Sequence, residues 1–210
     1  GFLATMSLVC VSRHAGLLWV AIEATTLVSA PLVGLHRSAG SLEATWKYLL
    51  VCSVGIAIAL LGTYFLAAAA SGGEGTPVPM AFPALVARAR ELDPRWLKAA
   101  YILALVGYGT KMGLVPMHTW LPDAHSEAPS PVSALLSGAL LNCAFLGILR
   151  FTGVCEAAGL GSFARDTLVQ IGLLSMVVAA ALLLGQADYK RLLAWSSVEQ
   201  MGILAVGIGL

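Results

Sequence analysis

Charge is what this chain has least of: 11% of its 210 residues are Asp, Glu, Lys or Arg, against about 25% in a soluble domain. The hydrophobic fraction is 59% and the mean hydropathy +0.86, so the sequence reads as an integral membrane chain. A formal net charge of +1 supplies neither a basic patch for nucleic acid nor an acidic field for cationic partners. Cysteine is sparse and scattered. Cys10, Cys52, Cys143 and Cys155 show no CxxC or other cluster spacing, which argues against an iron-sulfur, zinc or nickel-iron site built from this chain alone. A thiol in an apolar span is more simply a small buried hydrophobe. No cofactor is expected in this chain, and any redox chemistry it serves is expected elsewhere. Initiator Met and signal-peptide pattern are also lacking, and residues 201–210 stop inside an apolar run, which predicts an internal piece of a longer protein.

What is present is a series of apolar runs near the length of about 17 to 25 residues that a bilayer requires. They fall at residues 1–12, 14–35, 48–70, 97–117, 132–149, 167–187 and 192–210. These predict an all-α, polytopic transmembrane bundle of about seven helices, the first and last cut short, forming one transmembrane domain over residues 1–210. The connections are short except for residues 71–95, which open with SGGEGTPVP and continue into a brief surface helix ended by Pro94. Seven Lys and Arg residues fall in one set of alternate loops and four in the other, a tilt that predicts a cytoplasmic position for the first set.

Ionisable groups inside such spans are rare enough to be informative. Lys111 lies in the apolar run at residues 97–115, and a proline-dense break, VPMHTWLPDAHSEAPSP, follows at once. An ammonium at that depth costs about 2.5 to 3.5 kcal/mol on insertion scales, and broken helix exposes backbone that hydrocarbon cannot satisfy. Together they point to a polar path through the membrane. Glu23 is the sole charge in HAGLLWVAIEATTLVSAPLVGL, with Thr25, Thr26 and Ser29 nearby. Burial disfavours the charged form of either group and an opposite charge favours it, so a Glu23/Lys111 pair that is made and broken would act as a proton switch.

Other polar residues leave alternatives open. Lys47 starts the third span and either joins the polar path or snorkels to the interface. Lys190 and Arg191 flank a helix end and read as markers of a membrane surface. Glu199 either joins the path or sits near the surface, and Asn142 reads as a neutral group that glues helices together. His118, Asp123, His125 and Glu127 are close in sequence, but they lack a helical i, i+4 His pair and Pro122 interrupts them, which disfavours a metal site. The remaining readings, that they satisfy backbone freed by Pro116, Pro122, Pro129 and Pro131 or line a hydrated cavity, are compatible.

The strings KMGLVPMHTWLPDAHSEAPSPVSALLSG, DYKRLLAWSSVEQMGI and IEATTLVS resemble the antiporter-like proton-translocating membrane subunits of respiratory complex I and group 4 membrane-bound nickel-iron hydrogenases. ATWKYLLVCSVGIAIALLGT and SEAPSPVSALLSGALLN look most like the F-type branch of the hydrogenase-4 membrane proteins. The resemblance implies a fold of about fourteen helices with two inverted repeats, of which this chain holds most of the first and the start of the second. It also implies other membrane and peripheral subunits as partners, with redox centres confined to them. Glu23 matches the family's glutamate on the fifth helix, Lys111 its lysine on the broken seventh, and Lys47 a lysine near the start of the sixth. The broken-helix motif covers Pro116, His118, Trp120, Pro122, Asp123 and His125. Asn142 stands where many members carry a lysine, and Gln200 where a histidine is common. An amide cannot titrate, so the onward path is expected to use water, Ser137 or another carrier.

Overall fold

The computed structural model describes residues 1–71 and 78–210. Among the described residues it is almost entirely helical, with no strand beyond an isolated bridge between His14 and Ala81. In chain order the helices are α1 (Phe2–Val11), α2 (Ala15–Val33), α3 (Ala39–Ser71), α4 (Phe82–Ala87), α5 (Pro94–Met112), α6 (Leu121–Glu127), α7 (Ser130–Leu135), α8 (Leu141–Ala157), α9 (Gly161–Leu183) and α10 (Tyr189–Gly209). A π-helical turn at Leu136–Leu140 joins α7 and α8 into one rod, Ser130–Ala157. That rod and Ala15–His36, Ala39–Ser71, Gly161–Leu183 and Tyr189–Gly209 are each long and apolar enough to cross a membrane. With α1 and α5, seven helices stand where the apolar runs predicted them.

Two boundaries differ from the sequence reading. α3 begins at Ala39, so Lys47 lies two turns into the helix instead of at its start. Its first turns are too polar to register as apolar, but Glu43 and Lys47 form an i, i+4 ion pair at 2.8 Å that favours helix. Pro94 opens α5 instead of closing a surface helix. Asp93 is the N-cap, its Oδ1 accepting from Arg95 N at 2.8 Å, and proline suits the first turn because its missing N–H has no partner there. The expected surface helix is reduced to α4 and a 3-10 turn at Ala89–Glu91, and most of the SGGEGTPVP break lies outside the described residues.

The core is organised around α5, which packs against α3 and α8, while α3 also meets α2, and α9 pairs with α10. Helices in lipid associate through close packing of small residues. A Cβ added at Gly107 would sit 2.5 Å from both Ala59 N and Gly55 O, so α5 and α3 touch backbone to backbone. Gly107→Ala must part the two helices, at a cost of roughly 1–3 kcal/mol. The thermal stability of the detergent-solubilised protein should fall accordingly, and an unchanged midpoint would contradict this packing. On the other side of the core, the Arg150 guanidinium of α8 donates to the carbonyls of Cys10 (3.0 Å) and Ser12, capping the free C-terminal end of α1.

Candidate functional site

The site begins where α5 stops. Gly113 takes φ +81°, the left-handed conformation that ends a helix, and Leu114 N–H turns back to Gly109 O at 2.9 Å. Any side chain at Gly113 would also run into Leu121. The chain then runs without regular helix to Trp120 before α6. Its backbone is satisfied by protein, as hydrocarbon depth demands: Val115 N–H donates to Ser175 Oγ of α9 at 3.0 Å, and Trp120 Nε1 donates to Thr110 O at 2.8 Å.

Lys111 occupies the last turn of α5 with no exposed surface. Its Nζ donates to Thr26 Oγ1 of α2 at 3.0 Å and to Tyr48 OH of α3 at 2.5 Å. It also stands 4.4 Å from the Tyr48 ring centroid and 5.9 Å from that of Trp120, where the aromatic quadrupole favours a cation. Thr26 has a second task, donating to Glu23 Oε2 at 3.3 Å, while Ser53 Oγ donates to Glu23 Oε1 at 3.2 Å. Glu23 and Lys111 are therefore joined through one hydroxyl instead of meeting as a direct ion pair. On the far side, Tyr48 OH lies 2.6 Å from Ser29 Oγ, which reaches Thr25 O at 2.6 Å. The line Glu23, Thr26, Lys111, Tyr48, Ser29 is a continuous hydrogen-bonded chain across three helices.

The sequence flagged Glu23, Lys111 and the hydroxyls beside Glu23, but it missed Tyr48. Its signal was slight: an aromatic residue with a polar tip at the start of an apolar run.

The remaining candidates fall into two groups around α6. Lys47 Nζ pairs with Asp123 Oδ2 at 3.0 Å, and Arg191 of α10 pairs with Asp123 Oδ1 at 2.7 Å. Lys190 Nζ donates to the carbonyls of Ser126 (3.2 Å) and Ala128 (3.0 Å) at the end of α6. Lys190 and Arg191 thus clamp the broken segment, a role that a charge count at a helix end could not reveal. The second group borders a cavity of about 670 Å³ between α6, α7 and α10, lined by His125, Ser133, Ser137, Lys190, Ser197 and Gln200 among others. His125 is buried, its Nε2 without a partner among the described residues, and its ring centroid is 6.5 Å from that of Trp120. Ser137 Oγ and Ser197 Oγ are 2.8 Å apart in the cavity wall.

Asn142 points outward and donates to Gly138 O at 2.8 Å, within its own helix, so it does not tie helices together among the described residues. Gly138 lies in the π-helical turn, where i→i+5 bonding replaces the α-helical pattern. Glu199 is half-buried on α10, and His118 packs its ring 5.1 Å from Trp195. Pro116 is exposed in the break, and Pro122 is buried in the first turn of α6. No group of three His, Cys, Asp or Glu side chains among the described residues is arranged to hold a metal ion.

The family described as NADH:quinone oxidoreductase/Mrp antiporter, TM, matches residues 12–210. The chain belongs to it. Among curated relatives, the Hydrogenase-4 component F homolog of Methylacidiphilum infernorum is 44% identical over 98% of this chain and 43% of its own length. The NADH-quinone oxidoreductase subunit N of Deinococcus radiodurans is 38% identical over 89% and 37%. The chain spans less than half the length of these relatives. Among solved structures, respiratory complex I from Thermus thermophilus contains a chain that matches with TM-score 0.80 at 30% identity, over 97% of this chain and 42% of its own. The Mrp complex from Dietzia contains one with TM-score 0.85 at 27% identity, over 99% and 22%. The all-α membrane bundle expected from the sequence is thus the antiporter-like fold of integral membrane subunits.

Proposed function

We propose that this chain carries protons as part of a membrane subunit of a redox-driven respiratory or hydrogenase complex, in a prokaryotic cytoplasmic membrane. The observation that carries the reading is a fully buried lysine held, among the described residues, by hydroxyls and aromatic rings and linked through Thr26 to Glu23. The hydroxyls suit both protonation states. With an ammonium at Lys111, Thr26 and Tyr48 accept from Nζ and pass their own hydrogens to Glu23 and Ser29. With a neutral amine, Tyr48 turns its hydrogen toward Nζ and accepts from Ser29. No heavy atom has to move. When the Thr26 hydroxyl turns its hydrogen toward a neutral Nζ, a protonated Glu23 can give its proton to Thr26 Oγ1 as Thr26 gives its own hydrogen to Lys111, leaving a carboxylate and an ammonium. A change in partner subunits that favours one state would drive the proton onward, which is coupled titration with no bond-making site in this chain. Redox centres would sit in those partners.

The onward path runs into the cavity past His125 and the Ser137/Ser197 pair, with Glu199 next to the lining residue Gln200 and Lys47 on the separate recess beside Asp123. Asn142 is assigned to hold water near the π-helical turn, since its amide donates and accepts without titrating. Asn142→Leu should slow proton uptake per assembled complex about tenfold, equivalent to about 1.4 kcal/mol of barrier, and Asn142→Lys should remain partly active. A fully active Leu variant removes Asn142 from the route.

A stand-alone multisubunit cation/proton antiporter is the second reading, favoured by the likeness to a chain of the Mrp complex. Purification of the full-length protein from native membranes separates the two. Co-isolation with nickel-iron or flavin subunits, together with proton flux after reconstitution, supports the first reading; flux without redox partners supports the second.

A further inference from the structure

The start of α6 carries two different attachments, while Lys190 holds its far end through the carbonyls of Ser126 and Ala128. Trp120, which immediately precedes α6, is fully buried with its ring centroid 4.9 Å from that of Tyr48 and near both Lys111 and His125. Lys111 lies on the network side of this indole and the cavity of about 670 Å³ begins at His125. Three residues past Trp120, Asp123 is shared between Lys47 on α3 and Arg191 on α10. An isolated exposed pair holds little, but a carboxylate shared by cations from two separate helices forms a small network that ties α3 and α10 to the first turn of α6. A small recess of about 100 Å³, bordered by Glu43, Lys47, Asp123, Glu127 and Arg191, adjoins these pairs, and their side chains are partly exposed. The pairs are therefore accessible enough to be undone.

We infer that Asp123 is a positioning residue: its two ion pairs hold the first turn of α6 so that Trp120 closes the way between Lys111 and the cavity at His125, and releasing them lets that turn swing about the end held by Lys190 and opens it. The inference rests on the reading of Lys111 as the proton carrier, but the geometry it asserts is measured independently of translocation. Cys52 lies one turn along α3 from Tyr48 and is buried, while Cys155 is buried on α8, away from α6. The test uses the full-length protein in native membranes, with every cysteine other than Cys52 and Cys155 replaced by Ser, and follows the rate at which a small water-soluble methanethiosulfonate modifies each of these two thiols.

Asp123→Asn should raise the modification rate of Cys52 about tenfold, the change that about 1.4 kcal/mol produces, with Cys155 unchanged. Asp123→Glu, which keeps the charge, should stay near the wild-type rate. An unchanged Cys52 rate in the Asn variant overturns the inference. So does a joint rise at Cys52 and Cys155, because general loosening would then explain both. If the thiol pattern holds while Lys111→Ala still translocates protons, the positioning stands and the functional reading alone fails.

Discussion

Lys111→Ala is expected to assemble at the wild-type level or better while losing at least about a hundredfold in proton translocation, the scale on which a positioned proton carrier contributes. The two effects separate because they have different origins. A buried ammonium adds about 2.5 to 3.5 kcal/mol to membrane insertion, a burden the alanine variant does not carry. What the variant loses is the titratable group that links Thr26 to Tyr48, leaving two hydroxyls to face a gap. Immunodetection of the assembled complex alongside proton uptake in inverted vesicles measures both. Normal assembly with normal uptake would make Lys111 a structural residue.

The second large effect is expected at Thr26, whose hydroxyl is the one bridge between Glu23 and Lys111. Thr26→Val keeps the volume and removes the bridge, leaving Nζ one acceptor short in a buried site. Translocation should fall about tenfold or more, equivalent to at least about 1.4 kcal/mol in the barrier. Glu23→Gln should give a loss of similar size, and Glu23→Asp should retain part of the activity because charge survives while reach shortens. Since both substitutions cut the same link, the double variant Thr26→Val/Glu23→Gln should be no slower than the slower single. Fully additive losses would mean that Glu23 and Thr26 act on Lys111 separately.

The helices were legible in the sequence because hydrocarbon imposes a length and a composition that any single run reveals. The break after Lys111 was legible for the same reason, since proline and charge at that depth violate both. The hydrogen-bonded chain was not. Lys111 meets Thr26 and Tyr48 across 85 and 63 residues of sequence, and no local pattern encodes which hydroxyl faces an ammonium on another helix. Lys190 and Arg191 show the same limit from the other direction. Their place at a helix start suggested a membrane surface, whereas their reach to α6 depends on how α10 packs against it. The early start of α3 was within reach of the sequence, through the Glu43/Lys47 spacing, but hydropathy alone hides a helix whose first turns are polar.

The central claim, that the Lys111 amine changes protonation state as the complex turns over, is tested most directly by observing that nitrogen. With ¹⁵N-labelled lysine, solid-state NMR distinguishes ammonium from amine in resting and turning-over complex, and Lys111→Ala identifies the signal by its loss. The account predicts that this one signal alternates between the two forms and that Thr26→Val suppresses the alternation. A signal that keeps a single form in both states would contradict it.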